Sequence, residues 1–456
     1  MNVWAEYVPS PKNPWTVAKV GHLYRRAAFG ANWTQLHEGL KLGPKRLIDQ
    51  LLEGEQSEEF TKTSDFMASE RSLTAGASGT QLSAWWLHRI LNTRHPLQEK
   101  LSLFWHNHFA TSLGKVQNAR YMLGQYRLLN QHALGDFREL LKAMSTDPAM
   151  MIWLDTVTST KGQPNENYAR ELMELFSLGI GHYSEKDIRE AAKAFTGYEL
   201  KAGKTLFNSR KHDDSEKAVL GQKGRWKADD IVRICLEQKA CPKFIVTKLY
   251  SYLISESQAP AAGLIEPLAE QYRASGFDTK KLVETMLRSE LFFSDKAYRQ
   301  RVKSPVDFAV GIVKALNGKV GALPLAEAIE PLGQILFAPP NVKGWDGGPV
   351  WLNAQTLLFR QNLALALTST TDNRFGNRLD PVLAYTQQQG QADPVGFWLK
   401  LFLQDDAPEA RQKLTEYWKS SEKSKYPKFW SETDADQHRL RTLAHLTLTL
   451  PEFQLD

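Results

Sequence analysis

Cysteine is nearly absent, with two in 456 residues. That is too few for a disulfide framework, and neither Cys235 nor Cys241 has the neighbours a structural zinc site needs. A chain of this length buries enough core to fold without such staples. Long apolar runs are missing too: no stretch approaches the ~18 residues that a membrane-spanning helix requires, so no membrane segment is expected. The opening MNVWAEYVPSPKNPW lacks a basic start followed by an apolar run. The chain as written therefore reads as cytoplasmic with reduced cysteines, or as an exported protein whose leader has been removed. No charge of one sign dominates: 57 basic and 51 acidic side chains leave a net +6. They are interleaved, whereas a nucleic-acid binder concentrates its positive charge. The denser run Lys419, Lys423, Lys425 and Lys428 reads as a solvated loop, and nucleic-acid binding is not expected. No nucleotide loop, nucleophile elbow or zinc-protease motif occurs.

What is present is helical periodicity. Residues 1–16 form an irregular arm marked by Pro9, Pro11 and Pro14. A main helical domain is expected over 17–367 and a helical C-terminal region over 368–456. The polar stretch 54–80 is expected to be a connection with one weak helix. Pro96 and Asp147-Pro148 open helices at positions where proline is tolerated. A strong helix is expected over 165–178, ending at Gly179, and Ser184 with Asp187 resembles a capping box that starts the next. Tyr198–Leu200 and Thr205–Phe207 flank a turn at Gly203 and predict a β-hairpin over about 198–208. PPNVKGWDGG (339–348) is too rich in turn formers for regular structure, and a Gln/Gly-rich break falls at 387–391. The expected fold is all-α, a multi-helix globular protein with one short β-hairpin insertion.

Four segments could carry chemistry. In PLQEKLSLFWHNHFATS (96–112) a helical wheel places Glu99, Ser102 and His106 together, with His108 about 160° from His106. Two histidines at i, i+2 do not face one way, so His108 is expected to act in packing. His106 beside Glu99 is either a hydrogen-bonded core pair or a ligand oriented by its carboxylate. In PNENYARELMELFSLGIG (164–181), Glu166, Arg170 and Glu174 lie within about 80° of each other, with Glu171 beside them. This is either a solvated face laced by Glu166–Arg170 or, through Glu171 and Glu174, a cation site. His212-Asp213-Asp214 suggests a metal or acid–base group, though such triplets arise by chance. Asn341–Trp351 offers Lys343, Trp345, Asp346 and Trp351 on a loop of a kind that either caps a site or merely turns.

Taken in order, LYRRAAFGA (23–31), the 96–112 segment, DPAMMIWLD (147–155), PNENYARELMELFSLGIGHYSEKDIREAAKAFTGY (164–198), HDDSEKAVLG (212–221) and PPNVKGWDGG resemble the bacterial domain-of-unknown-function family 1800. The resemblance runs from about residue 20 to the PEFQ near the end. It implies no settled activity. It does imply frequent export, from which the missing leader departs, and a sulfatase-like protein encoded beside many members as a partner. The stretches carrying the resemblance coincide with the four segments, which raises the weight of a site over a solvated face.

The leading expectation is a metal- or cofactor-dependent enzyme, redox or hydrolytic, with iron, manganese or zinc held by His106, Glu171, Glu174 and His212. Glu166, Arg170, Lys343 and Asp213 are the expected catalytic groups, Arg170 and Lys343 orienting an anionic substrate, and Trp345 is the expected cofactor contact. The alternative is a non-catalytic helical scaffold in which these residues form a structural polar network.

Overall fold

The computed structural model describes residues 2–69, 78–370, 372–375, 379–387, 393–420 and 431–456. Lys423, Lys425, Lys428 and most of the Gln/Gly-rich break lie outside them. Among the described residues, 22 α-helices are accompanied by two two-stranded antiparallel sheets, so the fold is mainly helical as the periodicity predicts. Tyr198–Lys201 pairs with Lys204–Phe207, with Tyr198 opposite Phe207. A second hairpin, Lys217–Val219 with Gln222–Gly224, follows it in the chain, in addition to the one that the sequence predicts.

The local signals act as expected. Ser184 and Asp187 form a reciprocal capping box, each side chain bonding the other's backbone N–H. Pro96 and Pro148 occupy first-turn positions of their helices. The 165–178 stretch is not one α-helix, however. An α-turn over Asn167–Glu171 passes into a π-helix over Leu172–Ser177, a wider coil that is rare and often sits beside functional sites.

One hydrophobic cluster runs from Tyr7 through Trp86, Trp105, Phe176 and Phe308 to Trp398 and Phe453. Even the proline-rich arm is tied down: Tyr7 is buried and the Trp4 indole donates to the Leu264 carbonyl at 2.9 Å. Cys235 and Cys241 are buried and unpaired, and burial pushes the Cys235 thiol up to about 12. Among the described residues no helix is long and apolar enough to cross a membrane.

The helix Pro96–His108 lies at the centre of this arrangement. All its residues but Pro96, Gln98 and Asn107 are buried. It packs against Gly79–Asn92, Ala119–Gln131 and Val17–Ala28, and its C-terminal end meets the glycine-rich loop 339–348.

Candidate functional site

At the end of that helix three successive side chains take three directions. His106 is buried among the rings of Trp86 (5.2 Å between centroids), Phe337 (5.6 Å) and Trp345 (5.6 Å). Its Nε2 accepts the Phe337 N–H at 3.1 Å, which assigns its proton to Nδ1. Burial lowers it to about 3, so it stays neutral at physiological pH. Glu99 shares its helix face but does not pair with it. The carboxylate instead accepts from Trp86 Nε1 (3.0 Å), Arg89 Nε (3.1 Å) and the Tyr126 hydroxyl (2.7 Å). The Trp86 ring spans the two, bonded to one and stacked edge-on to the other.

Asn107 points into the 339–348 loop. Its Oδ1 accepts the Trp345 N–H at 2.7 Å and its Nδ2 donates to the Trp345 carbonyl at 3.3 Å. One amide thereby satisfies both backbone groups of a residue in an irregular loop, where such groups otherwise lack partners. Gly344 makes this approach possible. Its φ is +89°, and an added Cβ would collide with the Asn107 carbonyl and side chain. His106 and Asn107 together moor the loop at Phe337 and Trp345.

His108 faces the other way. Its Nε2 lies 3.1 Å from the Phe176 carbonyl, one of the acceptors that the C-terminal end of the π-helix leaves open. Because a carbonyl only accepts, Nε2 carries the proton and Nδ1 keeps its lone pair. That Nδ1 is buried with no partner, on a residue only 3% exposed. Burial and then the Lys248 charge hold the imidazole well below its ordinary 6.5.

His108 borders a cleft of about 370 Å³ lying between the 96–108 helix, the helix Ala240–Leu253 and the glycine-rich loop. Trp345 and Trp351 form a small apolar cluster with Val302 along one wall. The cations of the cleft differ in what they touch. Lys343 pairs with Asp346. Arg301 donates Nη1 to the Tyr252 carbonyl, while its Nε is buried without a hydrogen bond, Glu256 Oε2 standing off at 3.6 Å. Lys248 has neither a carboxylate nor a hydrogen-bond partner among the described residues; its ammonium lies 5.0 Å from the Phe244 ring. Burial, followed by the charge of Lys343, lowers Lys248 to about 8. Among the described residues, His108 Nδ1 and Arg301 Nε are thus buried without a hydrogen bond at one cleft, and Lys248 beside them has none either.

The remaining sequence candidates lie elsewhere. Arg170 forms a bidentate pair with Glu185 (2.8 Å twice) and reaches Glu166 at 3.4 Å. Glu174 accepts the Tyr183 hydroxyl at 2.6 Å, and Glu171 is half-buried, its carboxyl raised by burial and by Glu174. Glu166, Arg170 and Glu185 form the laced face. His212 Nδ1 bonds the Thr196 carbonyl at 3.0 Å and its ring packs on Phe207. Asp213 turns back on its own loop, accepting the Ser215 N–H at 2.9 Å. Among the described residues no three His, Cys, Asp or Glu side chains form a group able to hold a metal. The expected ligand set His106, Glu171, Glu174 and His212 is therefore not assembled. His106 is turned to the 337–345 loop, His212 to Thr196, and Glu174 to Tyr183.

Of the residues singled out in the sequence, Lys343, Trp345, Asp346 and Trp351 line the cleft, together with His108, which was expected to act in packing. Asn107, Lys248, Arg301 and the lone pair of His108 escaped sequence reasoning. One signal was available: Lys248 interrupts the nearly apolar run FIVTKLYSYL (244–253), where a lysine is expensive unless it has work to do.

A family model described as "Protein of unknown function (DUF1800)" matches residues 22–455. No curated protein and no solved structure matches the chain.

Proposed function

The chain belongs to the DUF1800 family of proteins of unknown function, and we propose that it is an enzyme whose site is the cleft beside His108, acting on a small anionic molecule. The observation that carries this reading is the meeting of three groups around one cavity: His108 Nδ1 and Arg301 Nε, buried without a hydrogen bond among the described residues, and Lys248, half-buried and without an ion pair there. Buried polar groups are nearly always hydrogen-bonded, and the exceptions call for a function. Lys248 and Arg301 supply positive potential, His108 Nδ1 a proton acceptor, and Trp345 and Trp351 an apolar wall. A cavity with an apolar side and a few convergent polar groups is the common form of a small-molecule site.

The test is thermal unfolding with citrate, pyruvate or phosphate, since an anion bound to the folded state raises Tm by mass action. At least one should stabilise the wild type and lose its effect in Lys248→Met. Absence of any stabilisation, or an equal one in the variant, overturns the reading. Elemental analysis of protein purified without a metal-binding tag tests separately for the iron, manganese or zinc of a metal-dependent version. A non-catalytic scaffold draws its support from the Arg170 network, whose groups are satisfied within the chain.

A further inference from the structure

We propose that Lys248 is a nucleophile that condenses with the carbonyl carbon of an anionic aldehyde or oxo acid, with Arg301 holding the anionic group and His108 Nδ1 passing the protons. The inference rests on the cleft being the site and adds to it a covalent step and a substrate class.

Three features of the cleft support it. First, Lys248 is not locked in an ion pair, so its nitrogen is available to a ligand. A lysine becomes nucleophilic when burial and a neighbouring cation favour the neutral amine, and both act here: the helix around Lys248 is apolar and Lys343 is the nearby charge. With a value of about 8, roughly a tenth of the amine is unprotonated at pH 7. Second, His108 is held in one tautomer. The Phe176 carbonyl keeps its Nε2 proton in place, so only the Nδ1 lone pair is free to take a proton from the amine and return it. Third, the guanidinium of Arg301 is only 8% exposed and its Nε–H makes no hydrogen bond, its ion-pair partner Glu256 standing off at 3.6 Å, so that it can still donate to a planar carboxylate.

The step balances without any other reactant. The neutral Lys248 nitrogen forms a bond to the carbonyl carbon as the C–O π pair moves to oxygen. His108 Nδ1 takes one proton from that nitrogen and delivers it to the oxygen, giving a carbinolamine. The second nitrogen proton follows the same route as the hydroxyl leaves. One amine and one carbonyl become one imine and one water, and nothing is oxidised or reduced. Phosphate and citrate have no electrophilic carbonyl carbon of this kind, so they bind without reacting.

The experiment is reductive trapping. The full-length protein is treated with glyoxylate and cyanoborohydride at pH 7.5, digested, and mapped by mass spectrometry over time. Lys248 should be modified about tenfold or more faster than Lys62, which is 74% exposed, because burial favours the neutral amine of Lys248 and Arg301 holds the carboxylate of glyoxylate beside it. Both lysines sit in the same folded molecule, so the comparison needs no variant. With benzaldehyde, which carries no anionic group for Arg301 to hold, the preference for Lys248 should shrink to what its larger share of neutral amine alone gives. His108→Gln should slow trapping at Lys248 by roughly 100-fold while leaving Lys62 unchanged. Labelling of Lys248 at or below the rate of Lys62 overturns the proposal. If that happens while citrate still stabilises the wild type and not Lys248→Met, only the covalent step is lost and the anion site stands.

Discussion

The π-helix segment presents two sides, and they behave oppositely. Outward lie Glu166, Arg170, Glu171 and Glu174, four charges within nine residues. Inward, the same segment offers a single carbonyl, from Phe176, to His108. The charged side looks functional in sequence, yet Glu166, Arg170 and Glu174 find partners within the chain: Arg170 with Glu185 and Glu166, Glu174 with Tyr183. In the cleft that His108 borders on the inward side, His108 Nδ1 and Arg301 Nε are buried without a hydrogen bond among the described residues. Charge density along a chain marks solvated surfaces as readily as sites. A buried group with an unmet bond is the more discriminating sign, because leaving it unmet costs about 1–3 kcal/mol.

Three perturbations would break or sharpen that contrast. The largest effect is expected from Gly344→Ala. A residue with a side chain at φ +89° is strained, and its Cβ would push Asn107 off Trp345. Left-handed strain plus two lost hydrogen bonds should lower unfolding stability by about 3 kcal/mol, read by urea denaturation, with loss of anion stabilisation at the cleft. An unchanged cleft would show that the loop needs no mooring.

His106→Gln should act next, and through pH. The folded imidazole protonates only near 3, whereas the unfolded one does so near 6.5. Between those values the unfolded state binds the extra proton, so the contribution of His106 is full above 6.5 and falls as pH drops. The cost should reach about 2 kcal/mol at pH 5. His22 and His108 are also held low by burial, so the wild type will show a steeper total slope. The difference between wild type and variant isolates His106, and parallel stability curves would contradict its buried, neutral state.

The smallest effect belongs to the outward face. Glu171→Ala and Arg170→Ala should each change stability by no more than about 1 kcal/mol and leave anion binding and trapping intact. Loss of either activity would move the site to that face.

Much of the fold could be read before any coordinates. Helix starts at Pro96, Pro148 and Ser184 follow from capping chemistry that operates over three or four residues, and so does the hairpin at Gly203. The π-turn could not be read, since its residues show an ordinary helical period. The site was legible only in part. Lys343 and Trp345 stood out on an irregular loop, but the wheel that set His108 aside as packing was right about its direction and silent about what lay there. Its partner Phe176, the neighbour Lys248 and the buried Arg301 come from segments 68 to 193 positions further along, and a helical wheel carries no information across such distances. The scatter of the expected ligand set has the same origin. His106, Glu174 and His212 each lie on a recognisable stretch, and the local pattern of each is silent on which way the stretches turn toward one another.

The clasp between Asn107 and Trp345 also orders events in time. Its halves are 238 positions apart, and at ordinary rates of synthesis, 5–20 residues per second, the second emerges roughly 10–50 s after the first. Over the last 97 positions of that interval, from Lys248 to Trp345, a nascent chain carries the histidines and Lys248 but not the wall that closes over them. Reactive lysine chemistry is thus withheld from half-made molecules, and a ribosome stalled before residue 345 would hold a polypeptide with most of its core residues but without a finished cleft.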